Sequence, residues 1–188
     1  LLAVATVPAV IAGVLLNDLA ETTFRDPGLV AVMLVVGAAV LWLADRFGDH
    51  SQGAEEVSFP LAFGIGVAQA FALVPGLSRS GVSISAGLFA NLTREAAARF
   101  SFLMATPVIA GAAGWEGLKL VRGEAGVDVA VGPLLVGMIA ALAAGLAAIG
   151  LTLRYLRSHS VTVFVVYRVV VAIVVLVAWL ELWGRPAA

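Results

Sequence analysis

The residues that could carry chemistry are concentrated in one short polar segment, Pro75-Gly-Leu-Ser-Arg-Ser-Gly81. A guanidinium such as that of Arg79 binds phosphate oxygens in a bidentate manner. The hydroxyls next to it can donate further hydrogen bonds, and glycines at both ends let backbone amides approach a ligand closely. The segment therefore predicts an anion site formed by Gly76, Ser78, Arg79, Ser80 and Gly81.

Polar residues on both sides extend this pattern. Ser83 and Ser85 follow the segment in what we expect to be a short helix beginning after Gly81, whose N-terminal amides would add partial positive charge. Gln69 is the nearest polar residue in the apolar run before the segment. A simpler alternative stays open, in which Pro75 only kinks a buried helix, the serines bond back to its carbonyls and Arg79 extends to the membrane interface.

Several other chemistries do not fit the sequence. The spacing of Gly76 and Gly81 begins like a phosphate-binding P-loop, but Val82 stands where that motif needs Lys and no strand precedes it. The type 2 phosphatidic-acid phosphatases have a His nucleophile at the position of Ser85. The chain contains no cysteine, and we expect His50 and His159, in polar segments, to be solvated and not catalytic.

Acidic residues are predicted to lie away from Arg79. Apart from Glu181, they fall in predicted loops, so the sequence offers no buried acid to activate water or hold a divalent ion there. Arg168 lies within the last apolar run. It either pairs inside the helix bundle or marks a span end that is misplaced.

The composition predicts an integral membrane protein. Hydrophobic residues make up 62% of the 188, charged residues only 12%, and the mean hydropathy is +1.07. Soluble domains carry about 25% charged residues. The net charge of -1, with basic residues scattered singly, argues against nucleic acid as a partner.

The apolar runs predict an all-α, multi-span helical bundle that forms a single domain. A spanning helix needs roughly 20 mostly apolar residues. The predicted spans are about 1–16, 28–44, 100–114, 130–151 and 161–183. The runs at 60–74 and 82–90 are too short to cross singly, so we predict a re-entrant helical hairpin at about 60–90.

Polar connections predict loops at 17–27, 45–58 and 115–128. The chain starts with Leu1, and neither an initiator Met nor a basic region precedes the first apolar run. We therefore expect it to begin partway through a longer natural sequence.

Residues 66–83 (GVAQAFALVPGLSRSGVS) closely resemble the second signature of bacterial undecaprenyl-diphosphate phosphatases, the family behind bacitracin resistance. Residues 91–107 (NLTREAAARFSFLMATP) and 164–168 (FVVYR) also look like that family. The resemblance covers most of the chain from Phe59 onward, whereas residues 1–58 fit in hydropathy only.

The resemblance implies an enzyme that hydrolyses undecaprenyl diphosphate to undecaprenyl phosphate and phosphate, returning the lipid carrier to cell-wall synthesis in the bacterial plasma membrane. The family's fold is an inverted-topology repeat with two re-entrant hairpins, of which this chain would contain somewhat more than half. The family's first signature, a glutamate-bearing helix followed by a segment with Ser and His, has no counterpart here. We expect it before residue 1.

Carried over to this sequence, Arg79 matches the family's essential arginine, and Ser78 and Ser80 match its flanking serines. Ser83 occupies a position that is commonly Thr, and Gln69 lies roughly where the second repeat mirrors acidic residues of the first. The predicted catalytic residues are Ser78, Arg79, Ser80 and Ser83. The predicted substrate-binding residues are Gln69, Gly76, Arg79 and Gly81.

The partners implied are a polyprenyl diphosphate lipid and the membrane. No metal ligands are predicted in this chain, and a divalent cation, Mg²⁺ or Ca²⁺, would be held by carboxylates outside it. A homodimer stays open. The alternative function is a polyprenyl-phosphate transporter or flippase that uses Arg79 to bind the lipid without hydrolysing it, because re-entrant hairpins also occur in transporters.

Overall fold

A computed structural model describes residues 1–15, 26–122 and 131–183. These residues form seven α-helices and no regular strand, which confirms the all-helical prediction. The helices are α1 Leu2–Leu15, α2 Pro27–Phe47, α3 Phe59–Ala70, α4 Arg79–Phe89, α5 Arg94–Val121, α6 Val131–Leu156 and α7 Thr162–Trp183.

Four of these helices, α2, α5, α6 and α7, are long and apolar enough to cross a membrane. At 1.5 Å per residue, about 20 residues cover a hydrocarbon core of roughly 30 Å. The shorter helices are α1 with 14 residues, α3 with 12 and α4 with 11. The chain is therefore a helical integral membrane protein.

Polar side chains fix the starts of these helices. The Leu29 amide donates to Asp26 Oδ1 at 2.7 Å at the start of α2, with Pro27 as the first helical residue. At the start of α5, the Ala96 amide donates to Thr93 Oγ1 at 3.2 Å. Such caps satisfy amides that have no partner inside the helix and set where each helix begins.

Two of the predicted loops begin later in the structure than the sequence predicted. The loop expected from residue 115 begins later, because α5 continues to Val121. Glu116 and Lys119 pair at 2.9 Å one helical turn apart, and Lys119 lies over the Trp115 ring, so the charges in this segment support a helix. The loop expected from Asp45 begins after Phe47. Residues 17–25 and 123–128 of the predicted loops lie outside the described residues.

The short helix α4 lies at the centre of the packing, where α2, α3 and α5 all contact it. Helix α1 packs against α3 and α5, and α2 packs against α7. Gly66 allows the close contact of α1 with α3, since a Cβ there would lie 2.2 Å from the Ala5 carbonyl oxygen. In contrast, α6 contacts α5 and leaves its apolar side chains exposed, as expected of a surface covered by lipid.

Candidate anion-binding site

The polar segment forms a turn between two helices. Helix α3 ends at Ala70, one 3-10 turn covers Phe71–Leu73, and Gly76 adopts a φ of +95° that favours glycine. Ser78 also has a positive φ, +66°, which is costly for a residue with a side chain. The backbone therefore breaks completely here, and the alternative of a merely kinked helix is wrong.

Helix α4 begins at Arg79, three residues earlier than expected, because Ser78 caps it. The Gly81 amide donates to Ser78 Oγ at 3.3 Å. The Arg79 and Ser80 amides donate to no group in the described part of the chain. They form the positive end of the helix dipole and are available to an anion.

A cavity of about 340 Å³, called here the Arg79 cavity, lies on the α1 side of the turn. It is lined by Ala9, Val10, Gly13, Gln69, Ala72, Leu73, Arg79 and Val108. Arg79 is exposed, and its guanidinium makes no ion pair or hydrogen bond to the described residues. The cavity therefore combines an available cation with apolar walls.

Gln69 shares this cavity although it lies ten residues before Arg79 in the sequence. Its side chain is only 3% exposed, and its Oε1 atom has no hydrogen-bond partner in the described part of the protein. A buried polar atom without a partner costs about 1–3 kcal/mol. Gln69 and Arg79 thus bring two unpartnered polar groups to one cavity.

A second cavity of about 240 Å³, called here the Arg168 cavity, lies on the α2 and α7 side of the turn. Its polar lining includes Ser78, Ser80 and Arg168, and the two serine hydroxyls lie 3.4 Å apart. The remaining walls are mostly apolar and include Leu34, Leu41, Ile84, Leu156, Val161, Phe164 and Tyr167. The turn therefore separates two cavities and contributes polar groups to both.

Arg168 pairs inside the helix bundle, as one of the two alternatives from the sequence expected, and its partners are backbone carbonyls. It lies inside α7, is 6% exposed, and forms no ion pair with the described residues. Instead, its Nη2 donates to the carbonyl oxygens of Gly76 at 2.6 Å and Leu77 at 2.8 Å. The sequence signal for this contact was an arginine within an apolar run, but its partners are backbone atoms of the turn.

Ser83 and Ser85 point away from both cavities. Ser83 Oγ donates to the Arg79 carbonyl at 2.8 Å and lies 2.7 Å from Ser101 Oγ of α5. Ser85 Oγ donates to the Gly81 carbonyl at 2.8 Å. Both side chains are buried, and their bonds to helix carbonyls are those that the simpler alternative expected for the serines. A direct catalytic role of Ser83 stays a prediction.

Several acidic residues lie at helix ends, which corrects the expectation of loops. Asp45 of α2 pairs with Arg94 at 2.5 Å. Glu95 of α5 pairs with Arg99 at 2.7 Å and with Arg157 at 2.9 Å. The hydrogen bond from Arg157 to the Glu95 carboxylate raises the pKa of Arg157 above its ordinary value. These carboxylates hold the helix ends together and do not line the Arg79 or Arg168 cavity.

His50 is held by the backbone and is not simply solvated as expected. Its Nε2 lies 2.9 Å from the Asp45 carbonyl oxygen, and its Nδ1 lies 3.4 Å from that of Leu92. His159 is exposed and stacks on Tyr155. Residues 1–15, 26–122 and 131–183 contain no group of three His, Asp or Glu side chains that could hold a metal ion. These residues therefore do not form a metal site.

Fold and site together define a helical membrane protein with a polar turn, containing Ser78 and Arg79, that lines two cavities. A family model described as bacitracin resistance protein BacA matches residues 1–174, and the chain belongs to this family. The match includes residues 1–58, where the resemblance from sequence rested on hydropathy alone.

Curated relatives agree with this assignment. An undecaprenyl-diphosphatase of Gemmatimonas aurantiaca is 46% identical over 91% of this chain and 62% of its own length. A protein of the same name from Desulforudis audaxviator is 38% identical over 94% of this chain and 66% of its own length. Another from Moorella thermoacetica is 41% identical over 96% of this chain and 67% of its own length. The chain thus spans about two thirds of the length of these relatives.

Proposed function

We propose that this chain provides the diphosphate-binding part of an enzyme that hydrolyses undecaprenyl diphosphate to undecaprenyl phosphate and phosphate. The observation that carries the proposal is the guanidinium of Arg79, which has no partner among the described residues and lies at the N-terminus of α4 beside a cavity. The relatives named undecaprenyl-diphosphatase support the choice of substrate.

In this reaction, Arg79 binds oxygens of the terminal phosphate, and the Arg79 and Ser80 amides add hydrogen bonds at the helix end. Water, either directly or after attack by a nucleophile of the enzyme that it then displaces, adds to the terminal phosphorus, and the bond from that phosphorus to the bridging oxygen breaks. Undecaprenyl phosphate leaves with the bonding electrons. Arg79 stabilises the negative charge that develops as the bond breaks.

The two cavities would take different parts of the substrate. The Arg79 cavity has the available cation and would take the terminal phosphate. Ser78 and Ser80 line the Arg168 cavity, whose other walls are mostly apolar. These serines would bind the phosphate that remains on the lipid, and the first prenyl units would lie against the apolar walls.

Gln69 and Ser83 would have different tasks. The amide nitrogen of Gln69 would donate to the phosphate, and its buried Oε1 would accept a hydrogen bond from the attacking water. Ser83 would support the reaction indirectly, because its bond to Ser101 anchors the first turn of α4 to α5. Helices α3 and α4 would form a re-entrant hairpin in the bacterial plasma membrane, with the turn at membrane depth.

The test is phosphate release from undecaprenyl diphosphate by the complete gene product, purified in detergent. We expect release of one phosphate per lipid, with undecaprenyl phosphate as the second product. Binding of the lipid without any release would contradict the proposal and favour a carrier of polyprenyl phosphate.

A further inference from the structure

Arg168 joins three separate parts of the fold. From α7, its Nη2 donates to the carbonyls of Gly76 and Leu77, and its Nε lies 3.5 Å from the Leu34 carbonyl of α2. The two shorter bonds, 2.6 and 2.8 Å, reach the backbone immediately before Ser78. The polar turn is therefore tied to a helix about 90 residues away in the sequence.

These bonds determine which way the turn's amides point. In a trans peptide unit, the C=O and N–H groups lie in one plane and point in opposite directions. Because Arg168 holds the Leu77 carbonyl, the Ser78 amide must point away from Arg168. Ser78 also has an unfavourable positive φ of +66°, which needs contacts from outside the turn to persist. Arg168 supplies such contacts.

Two glycines make room for the Arg168 guanidinium. A Cβ on Gly37 of α2 would lie 2.2 Å from Arg168 Nη2, and a Cβ on Gly81 of α4 would lie 2.6 Å from Nη1. Any side chain at either position would occupy space that the guanidinium now fills. We call the space between these glycines the guanidinium notch.

The buried charge indicates a role beyond packing. Arg168 is 6% exposed, and within the described part of the chain its side chain bonds to carbonyls and to no carboxylate. A cation inside an apolar helix is costly, and such residues usually mark functional sites. Here the positive charge stays next to the turn and favours an anion there.

We propose that Arg168 is a positioning residue, which the guanidinium notch holds against the turn so that Arg79 and the α4 amides face the bound phosphate. The identity of the phosphate as a lipid diphosphate rests on the proposed function. The effect of Arg168 on the conformation of the turn does not rest on the proposed function, and it can be measured without any hydrolysis.

The conformational test uses cysteine labelling of the turn. Ser80→Cys is introduced into the complete gene product, with any other cysteine replaced by serine, and its rate of reaction with a small maleimide is measured. Arg168→Met and Gly37→Ala should each change this rate about fivefold or more. The double variant should resemble either single variant, because both remove the same contact.

Gly64→Ala is the matched control for the glycine substitution, because a Cβ there meets no atom within 4 Å. It should leave the labelling rate unchanged. Gly37→Ala keeps the arginine, so it remains informative if Arg168→Met does not fold. Labelling rates equal to that of the parent in both Arg168→Met and Gly37→Ala would overturn the proposal.

Kinetics with Ser80 intact separate positioning from direct substrate binding. Arg168→Met should lower phosphate release about 10- to 100-fold through kcat, as expected when catalytic groups are misplaced. A rise in KM with unchanged kcat would instead mean that Arg168 binds substrate uniformly, and would overturn the positioning role. Altered labelling in a protein that releases no phosphate would contradict the proposed function and still support positioning.

Discussion

The two cavities beside the polar turn each contain an arginine, and the two arginines differ in their partners. On one side, Arg79 is exposed to its cavity and bonds to no side chain or carbonyl in the described residues. On the other, Arg168 is buried and bonds to carbonyls of the turn. An arginine whose guanidinium has no partner is suited to bind a ligand, whereas an arginine whose Nε and Nη2 donate to carbonyls is suited to support the backbone.

The same contrast separates the other polar side chains. Gln69, beside Arg79, has an unpartnered buried oxygen, whereas the hydroxyl of buried Ser83 bonds to both a carbonyl and Ser101. Folded proteins satisfy nearly all of their buried polar groups. Among the buried side chains of the described residues, the exception is Gln69 Oε1 at the Arg79 cavity, which supports the proposal that this cavity takes the terminal phosphate and the attacking water.

The largest effect is expected from Arg79. Arg79→Ala should lower kcat/KM for phosphate release about 10²- to 10³-fold, as removal of a donor to transition-state charge does. Arg79→Lys should recover little, because an ammonium cannot bind phosphate in a bidentate manner. Arg157→Ala is the control, because its ion pair with Glu95 lies at an exposed helix end. If Arg79→Ala stays within about threefold of the parent, the assignment of the two arginines is wrong.

Gly66 should have the next largest effect, on stability. Gly66→Ala forces a Cβ against the Ala5 carbonyl and should separate α1 from α3, which together line the Arg79 cavity. We expect a loss of about 1–3 kcal/mol in the free energy of unfolding, measured in detergent. Gly64→Ala, two residues earlier and facing open space, should change it little. Equal stabilities of the two variants would contradict the close helix contact.

Substitution of Gln69 should change the affinity for the lipid diphosphate and the free energy of unfolding in different ways. Gln69→Leu removes the unpartnered oxygen, so we expect an equal or larger free energy of unfolding. It also removes the amide nitrogen that would donate to phosphate, so the affinity for the lipid diphosphate should be about tenfold lower. Both quantities can be measured on the same detergent-solubilised sample. A less stable protein with unchanged affinity would indicate a structural role for Gln69.

The smallest effect is expected from Ser83. Ser83→Ala removes the bond to Ser101 and should cost about 1 kcal/mol of stability, with activity reduced by less than about threefold. Ser101→Ala should have the same effect, because it removes the other end of this bond. Loss of activity in Ser83→Ala as large as that in Arg79→Ala would instead support the direct catalytic role predicted from sequence.

Much of the fold follows from local sequence patterns. Apolar runs of about 20 residues predict the long helices, and Pro75-Gly76 predicts the break before α4. The start of α4 was misjudged by three residues because the cap of Ser78 depends on a backbone conformation that is rare outside glycine. The continuation of α5 past Trp115 was missed because charges at helical spacing resemble those of a loop.

The site was predicted only in its local part. Residues close in sequence, such as Ser78 and Arg79, could be grouped from spacing alone. The contact of Arg168 with Leu77 spans 91 residues, and that of Ser83 with Ser101 depends on how α4 packs against α5. Such contacts arise from tertiary packing, which apolar periodicity does not encode in a membrane chain where lipid-facing and buried side chains are alike.

The most direct test of the central claim is protection of the turn by substrate. The labelling rate of Ser80→Cys is measured in the complete gene product with undecaprenyl diphosphate, and with undecaprenol as the control that has the same chain but no phosphates. If the turn binds the diphosphate, undecaprenyl diphosphate should slow labelling severalfold and undecaprenol should not. Equal rates with the two lipids would contradict the assignment of this turn as the diphosphate-binding site.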